Sequence, residues 1–150
     1  MGKYYDELSI GERFVTPART IGEYDVAAFS GLSGDYNPIH TDREFASSTS
    51  YGEPIAHGAL GLSVATGLIA RTGLFDGTAV AFLGIDGWRF SGPIQFGDTI
   101  HVEFEITAMR QTSNPTTGII TRAVEIVNQR GDVVQSGDMT VMLRRRPAND

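Results

Sequence analysis

Apolar side chains fall on every second position from Ile100 to Ile106, with Thr99, His101, Glu103, Glu105 and Thr107 between them. A period of two puts one face of a strand in a core and the other in water, as in an antiparallel sheet. Residues 79–90, 118–128 and 133–146 also read as strands. A hairpin turn lies at 128–132, with further turns at Gly92-Pro93 and Phe96-Gly97-Asp98. Before residue 77 the period is about 3.6, apart from a short strand at Arg13-Phe14-Val15. Thr20-Ile21-Gly22-Glu23 predicts a capping box opening a helix with Val26, Ala27, Phe29 and Leu32 on one side, closed by Gly31 and Gly34. Pro38 keeps Asn37 out of the helical region, so 34–40 is expected to be extended. Thr41-Asp42-Arg43-Glu44 predicts a second capping box and a short helix through Ala46. From His57 to Arg71 the pattern is helical and apolar nearly all round, which predicts burial on every side. Gly58, Gly61 and Gly67 each weaken that helix by up to about 1 kcal/mol against Ala. Close approach of other backbone would explain them.

Helices first and strands afterwards, with one greasy helix, make an α+β domain: a long antiparallel sheet wrapped around a central helix. At 150 residues, without a repeat or linker, the chain is expected to be one domain over 1–150. The absence of Cys excludes disulfides, thiolate metal sites and a Cys nucleophile. A net charge of −6 argues against a nucleic-acid partner. No apolar run reaches the ~18 residues of a membrane helix, and residues 1–12 lack a signal peptide's apolar middle. The expected setting is the cytoplasm, with no membrane partner.

Two segments carry candidate chemistry. Asp35-Tyr36-Asn37-Pro38-Ile39-His40 sets a carboxylate and an imidazole on one Pro-stiffened loop, where an acid and a base can share one water. Spacing alone is weak, and an isolated Asp-x4-His is more often a turn with a capping Asp. Ala56-His57-Gly58 opens the apolar helix. Its first amides lack internal partners at a positive dipole end, which suits a developing oxyanion. The plainer alternative makes His57 a cap and Gly58 a packing residue. Ser63 and Thr66 are helix hydroxyls of the kind that bond their own backbone. His101 reads as solvated, and Arg144-Arg145-Arg146 as a charged strand end. Nucleophile-elbow, P-loop, dinucleotide and His-Glu-x-x-His motifs are absent. Asp35, His40 and His57 lack the helical spacing that presents metal ligands together, so acid–base use ranks above a metal, and no cofactor is expected.

Together these segments resemble the MaoC-like family, the (R)-specific enoyl-CoA hydratases. The resemblance rests on Phe29, Leu32, Ser33, Gly34, Asp35, Asn37, Pro38, Ile39, His40 and Ala46, on Ala56-His57-Gly58, and on Gly92-Pro93-Ile94 with Gly97-Asp98-Thr99. It implies a hot-dog fold and a homodimer, or a higher homo-oligomer, with acyl-CoA sites at the interface. It also implies reversible syn hydration of a trans-2-enoyl-CoA to an (R)-3-hydroxyacyl-CoA. Asp35 and His40 would then be catalytic, and Gly58, Asn37, His57 and Thr66 would serve oxyanion and substrate binding, with Asn37 supporting the loop and the Gly58 amide facing the thioester oxygen. Thr66 stands where such proteins usually carry Ser. A hot-dog thioesterase and a non-catalytic acyl-CoA or acyl-carrier binding module are the alternatives.

Overall fold

A computed structural model of the chain describes residues 2–147. The expected domain also takes in Met1 and residues 148–150, which lie outside the described residues. A 3-10 turn at Tyr5–Glu7 leads into β1 (Arg13–Val15) and β2 (Arg19–Thr20). The helices α1 (Glu23–Ser33), α2 (Pro38–Thr41), α3 (Arg43–Ser47) and α4 (Gly58–Ala70) follow. The long strands are β3 (Ala79–Phe90), β4 (Thr99–Gln111), β5 (Thr117–Asn128) and β6 (Val133–Arg144). One antiparallel sheet has the order β1-β4-β5-β6-β3, with β2 also on β4. This sheet around α4 is the hot-dog fold that the hydrophobic pattern and the resemblance both implied.

The alternating strand behaves as its pattern dictates. Ile100, Val102 and Phe104 are buried and pack with Val124 and Ile126 of β5 against Leu60, Ala65, Leu68 and Ile69 of α4, while Ile106 is buried in a second cluster with Tyr5, Leu8, Ile120 and Leu143. Gly61 lets α4 lie close to the sheet. A Cβ there would stand 2.3 Å from Gln135 Nε2 and 2.8 Å from Ile94 Cδ1. The crowding neighbours are thus side chains, not the backbone expected. Gly58 likewise faces the Phe90 ring, while Gly67 faces open space.

Four further expectations are corrected. The cap of α1 is not Thr20: the chain enters at Gly22, whose N–H donates to Asp25 Oδ2, 2.9 Å away. Leu32 does not join the buried side of α1 but is 85% exposed. The loop after Gly34 is not extended throughout. Asn37 does take an extended backbone, as Pro38 requires, but Pro38 then occupies the first position of the helical turn α2, where its missing N–H costs nothing. The next cap is Asp42 rather than Thr41, accepting from Phe45 N.

The largest correction concerns α4. One face is packed, but Ala59, Ser63, Thr66, Gly67 and Ala70 are exposed. The neighbouring edge strand β3 exposes Val80, Phe82, Leu83, Ile85 and Phe90 as well. Arg145 and Arg146 leave β6 early, beside the start of β3, and pair with Asp6 and Glu7. His101 is half-buried beside Glu103 rather than simply solvated.

Asp98 ties the turn before β4 to the β5–β6 hairpin. It is 3% exposed and accepts from Gln95 N, Gln129 Nε2 and the Arg130 guanidinium. Burial pushes its pKa up, but the Arg130, Gln129 and Gln95 donors outweigh burial and hold the carboxyl below the ordinary aspartate value.

Candidate active site

The loop from Gly34 to His40 is built from short local bonds. Gly34 ends α1 with φ +77°, a left-handed turn that glycine adopts without strain. Ser33 Oγ accepts from Asp35 N, and Asp35 Oδ1 accepts from Asn37 N at 3.1 Å. Asn37 Oδ1 in turn caps α2 by accepting from Ile39 N at 3.1 Å. Asn37 therefore shapes the loop, and its side-chain oxygen is committed to that cap. Arg43 of α3 reaches Glu23 of α1 at 2.7 Å across the loop, an exposed pair of small energetic weight.

α2 carries His40 back against the segment before α4. His40 Nδ1 lies 2.7 Å from the Ile55 carbonyl. A carbonyl only accepts, so Nδ1 carries the hydrogen and Nε2 is left for other partners. His57, at the N-cap position of α4, is 3% exposed and makes no side-chain capping bond. Its Nε2 lies 2.9 Å from the Asp35 backbone carbonyl and 3.3 Å from Ser30 Oγ, while its Nδ1 is buried without a hydrogen-bond partner. The two imidazoles stack with centroids 3.9 Å apart at 30°, and Phe29 lies 4.9 Å from the His57 ring.

The structure thus brings Asp35, His40 and His57 together. One ligand-type atom from each lies within 4.8 Å of the others, close enough to share one small guest, a water or an ion. Asp35 is exposed, His40 partly buried and His57 buried, so the group runs from solvent into the core. Gly58 follows His57 directly. As the first residue of α4, its N–H has no carbonyl to meet inside the helix. A cavity of about 650 Å³ opens there, lined by Tyr51, Ile55, Gly58, Ala59, Phe90 and Gln135 among others.

Thr66 is not part of this group. Eight residues into α4, it lies about 12 Å along the helix from Gly58. Its hydroxyl donates to Ser63 O, and Ser63 Oγ donates to Ala59 O, the back-bonding expected of helix hydroxyls. Three participants escaped sequence reasoning. Ser30 and the Ile55 carbonyl act through space, where spacing along the chain leaves no mark. Gln135 is buried, donates to Gly58 O at 3.1 Å and accepts from Trp88 Nε1. Its sign was a lone amide in the apolar start of β6.

The sheet around α4, with the Asp35–His40 loop lying over the helix N-terminus, defines a class of hot-dog proteins. Residues 7–128 match the MaoC like domain, and the chain belongs to that family. It is 34% identical to the (R)-specific enoyl-CoA hydratase of Aeromonas caviae, over 91% of this chain and 96% of that protein. It is 36% identical to Protein MaoC of Klebsiella aerogenes over 73% of this chain, a stretch that spans only 32% of that protein. Among solved structures, the MaoC-like dehydratase of Rhodospirillum rubrum superposes with a TM-score of 0.88 at 28% identity, covering 98% of this chain and 100% of that one.

Proposed function

We propose that this chain catalyses the reversible syn hydration of trans-2-enoyl-CoA thioesters to (R)-3-hydroxyacyl-CoA. The observation that carries this reading is the convergence of Asp35, His40 and His57 within 4.8 Å at the N-terminus of α4. One named relative supports this kind of chemistry: the Aeromonas protein is an (R)-specific enoyl-CoA hydratase.

The thioester carbonyl makes C3 of the enoyl group electrophilic. Water held between the Asp35 carboxylate and His40 Nε2 attacks C3 and gives its proton to Asp35. Negative charge moves to the thioester oxygen, where the Gly58 N–H and the dipole of α4 stabilise it. Loss of one such donor typically costs about 3–4 kcal/mol of barrier. A proton returns from the pair to C2 on the same face, so H and OH add syn and the site is restored. His57 acts as a positioning residue: it holds the Asp35 backbone and backs the His40 ring. The exposed face of α4 and the edge of β3 fit a homodimer, in which a second copy covers both.

The test is hydration of crotonyl-CoA, followed by loss of enoyl absorbance with chiral analysis of the product. Asp35→Asn and His40→Gln are each expected to slow hydration at least about a hundredfold, the scale of a lost general acid or base. Both proteins should keep their thermal transition. Full activity in either variant ends the assignment. Release of free thiol with no 3-hydroxyacyl-CoA formed points to a thioesterase instead.

A further inference from the structure

Arg122 is a charge that the proposed chemistry does not use. It stands on the inward face of β5 between Ile120 and Val124, 4% exposed. Its Nε is buried without a hydrogen-bond partner, and no carboxylate pairs with its guanidinium among the described residues. The guanidinium instead lies 5.3 Å from the Phe75 ring centroid and 5.6 Å from that of Phe104. Burial pulls its pKa down to about 10, which leaves it cationic at neutral pH. Burying an unpaired charge is among the costliest things a core can do.

The same residue lines a cavity of about 320 Å³ beside the C-terminal half of α4. Ile69, Val80, Phe82 and Met139 give it apolar walls, and its other polar lining residues are Thr66 and Asp76. Asp76 is exposed and makes no ion pair with Arg122. An apolar guest alone would leave the cation unanswered. A carboxylate matches the planar fork of a guanidinium and brings one compensating charge.

We propose that this cavity is a carboxylate-binding site: a short apolar chain lies along Ile69, Val80, Phe82 and Met139 and ends in a carboxylate on the Arg122 guanidinium. Two sources share this chemistry, the far end of an acyl group and a free small carboxylate. The first deepens the hydratase reading and rests on it. Ile69 is about 16 Å along α4 from Gly58, too far for a short acyl group held by the loop of the same chain. The cavity shares Thr66, Ala70, Val80 and Phe82 with the exposed face of α4 and the β3 edge. A second copy seated there would close the cavity, and its own loop would supply the acyl group.

Hydration of 4-carboxybut-2-enoyl-CoA and of its uncharged isostere 5-methylhex-2-enoyl-CoA is compared in wild type, Arg122→Met and Arg122→Lys. A hydrogen-bonded charge corresponds to about tenfold or more in affinity. Arg122→Met should therefore lower the ratio of kcat/KM for the carboxylated over the uncharged thioester at least about tenfold, mainly through KM. Arg122→Lys should recover part of it. An unchanged ratio overturns the acyl-terminus form. A lowered Tm with that unchanged ratio, and no response to glutarate, makes Arg122 a prop for two rings and overturns the site altogether. The second arm needs no turnover: glutarate should raise the Tm of wild type and not of Arg122→Met. If neither thioester is hydrated, the hydratase reading fails and this arm decides alone. A rise confined to wild type then supports a site for a free carboxylate, and no rise rejects it.

Discussion

In the proposed hydration, the buried side chain of His57 serves a reaction it does not touch. Its Nε2 holds the Asp35 backbone at 2.9 Å and its ring backs His40 at 3.9 Å. His57→Phe keeps an aromatic face but removes the N–H and leaves a carbonyl unanswered. Its expected effects separate: kcat falls about tenfold to a hundredfold, because small misplacements of reacting groups are costly, while KM barely moves. Stability falls by about 1–3 kcal/mol, the cost of an unsatisfied buried group. Steady-state kinetics and urea unfolding read the two. At this scale the sequence was informative where chemistry is contiguous, as in Asp35 to His40, and silent where a partner is a backbone carbonyl, as at Ile55. Arg122 was in principle readable, since it breaks the apolar run Ile120, Val124, Ile126 on the inward face of β5. Its meaning needed the cavity.

Among the elements, α4 and the turn before β4 carry the sharpest consequences. Gly61→Ala would drive a methyl into Gln135 and Ile94, both buried, and is expected to cost about 1–3 kcal/mol by overpacking. Calorimetry or urea unfolding checks it. Asp98 gives a signed pH dependence. Its carboxyl titrates below the ordinary aspartate value when folded. The stability it contributes is therefore present above the unfolded value, ~3.9, and is lost as pH falls through the lower folded value. Asp98→Asn should be less stable than wild type at neutral pH, and the gap should close in acid below about pH 4. Urea curves at both ends of that range test it. Element identity was legible because periods of 2 and 3.6 differ so plainly here. Caps were not, because Thr20, Gly22, Asp25, Thr41 and Asp42 all offer workable local chemistry, and only the tertiary entry angle selects among them.

At the scale of the whole molecule, the apolar pattern of α4 says more than one chain satisfies. The sequence reads as a helix buried on every side, yet Ala59, Thr66 and Ala70 meet solvent beside the apolar edge of β3. Patterning records the burial that a residue experiences in its working assembly, not which chain provides it. The proposed homodimer resolves the mismatch. It predicts that Phe82→Glu, placing a charge on that edge, shifts the protein to a smaller species in sedimentation velocity and reduces hydration with it. A single sedimenting species the size of one chain, in wild type and variant alike, would reject the homodimer.

The imidazole of His40 also has a far-off anchor. Its carbonyl partner Ile55 sits in a bridge with Gln95, whose amide is gripped by Asp98, itself clasped by Gln129 and Arg130 at the tip of a distant hairpin. In the proposed reaction, the aim of this ring is thus set partly by a lever whose handle lies outside the cleft. Changes at that handle should surface as slower turnover beside the lower stability expected of Asp98→Asn, a kinetic defect with no visible lesion near the reacting atoms.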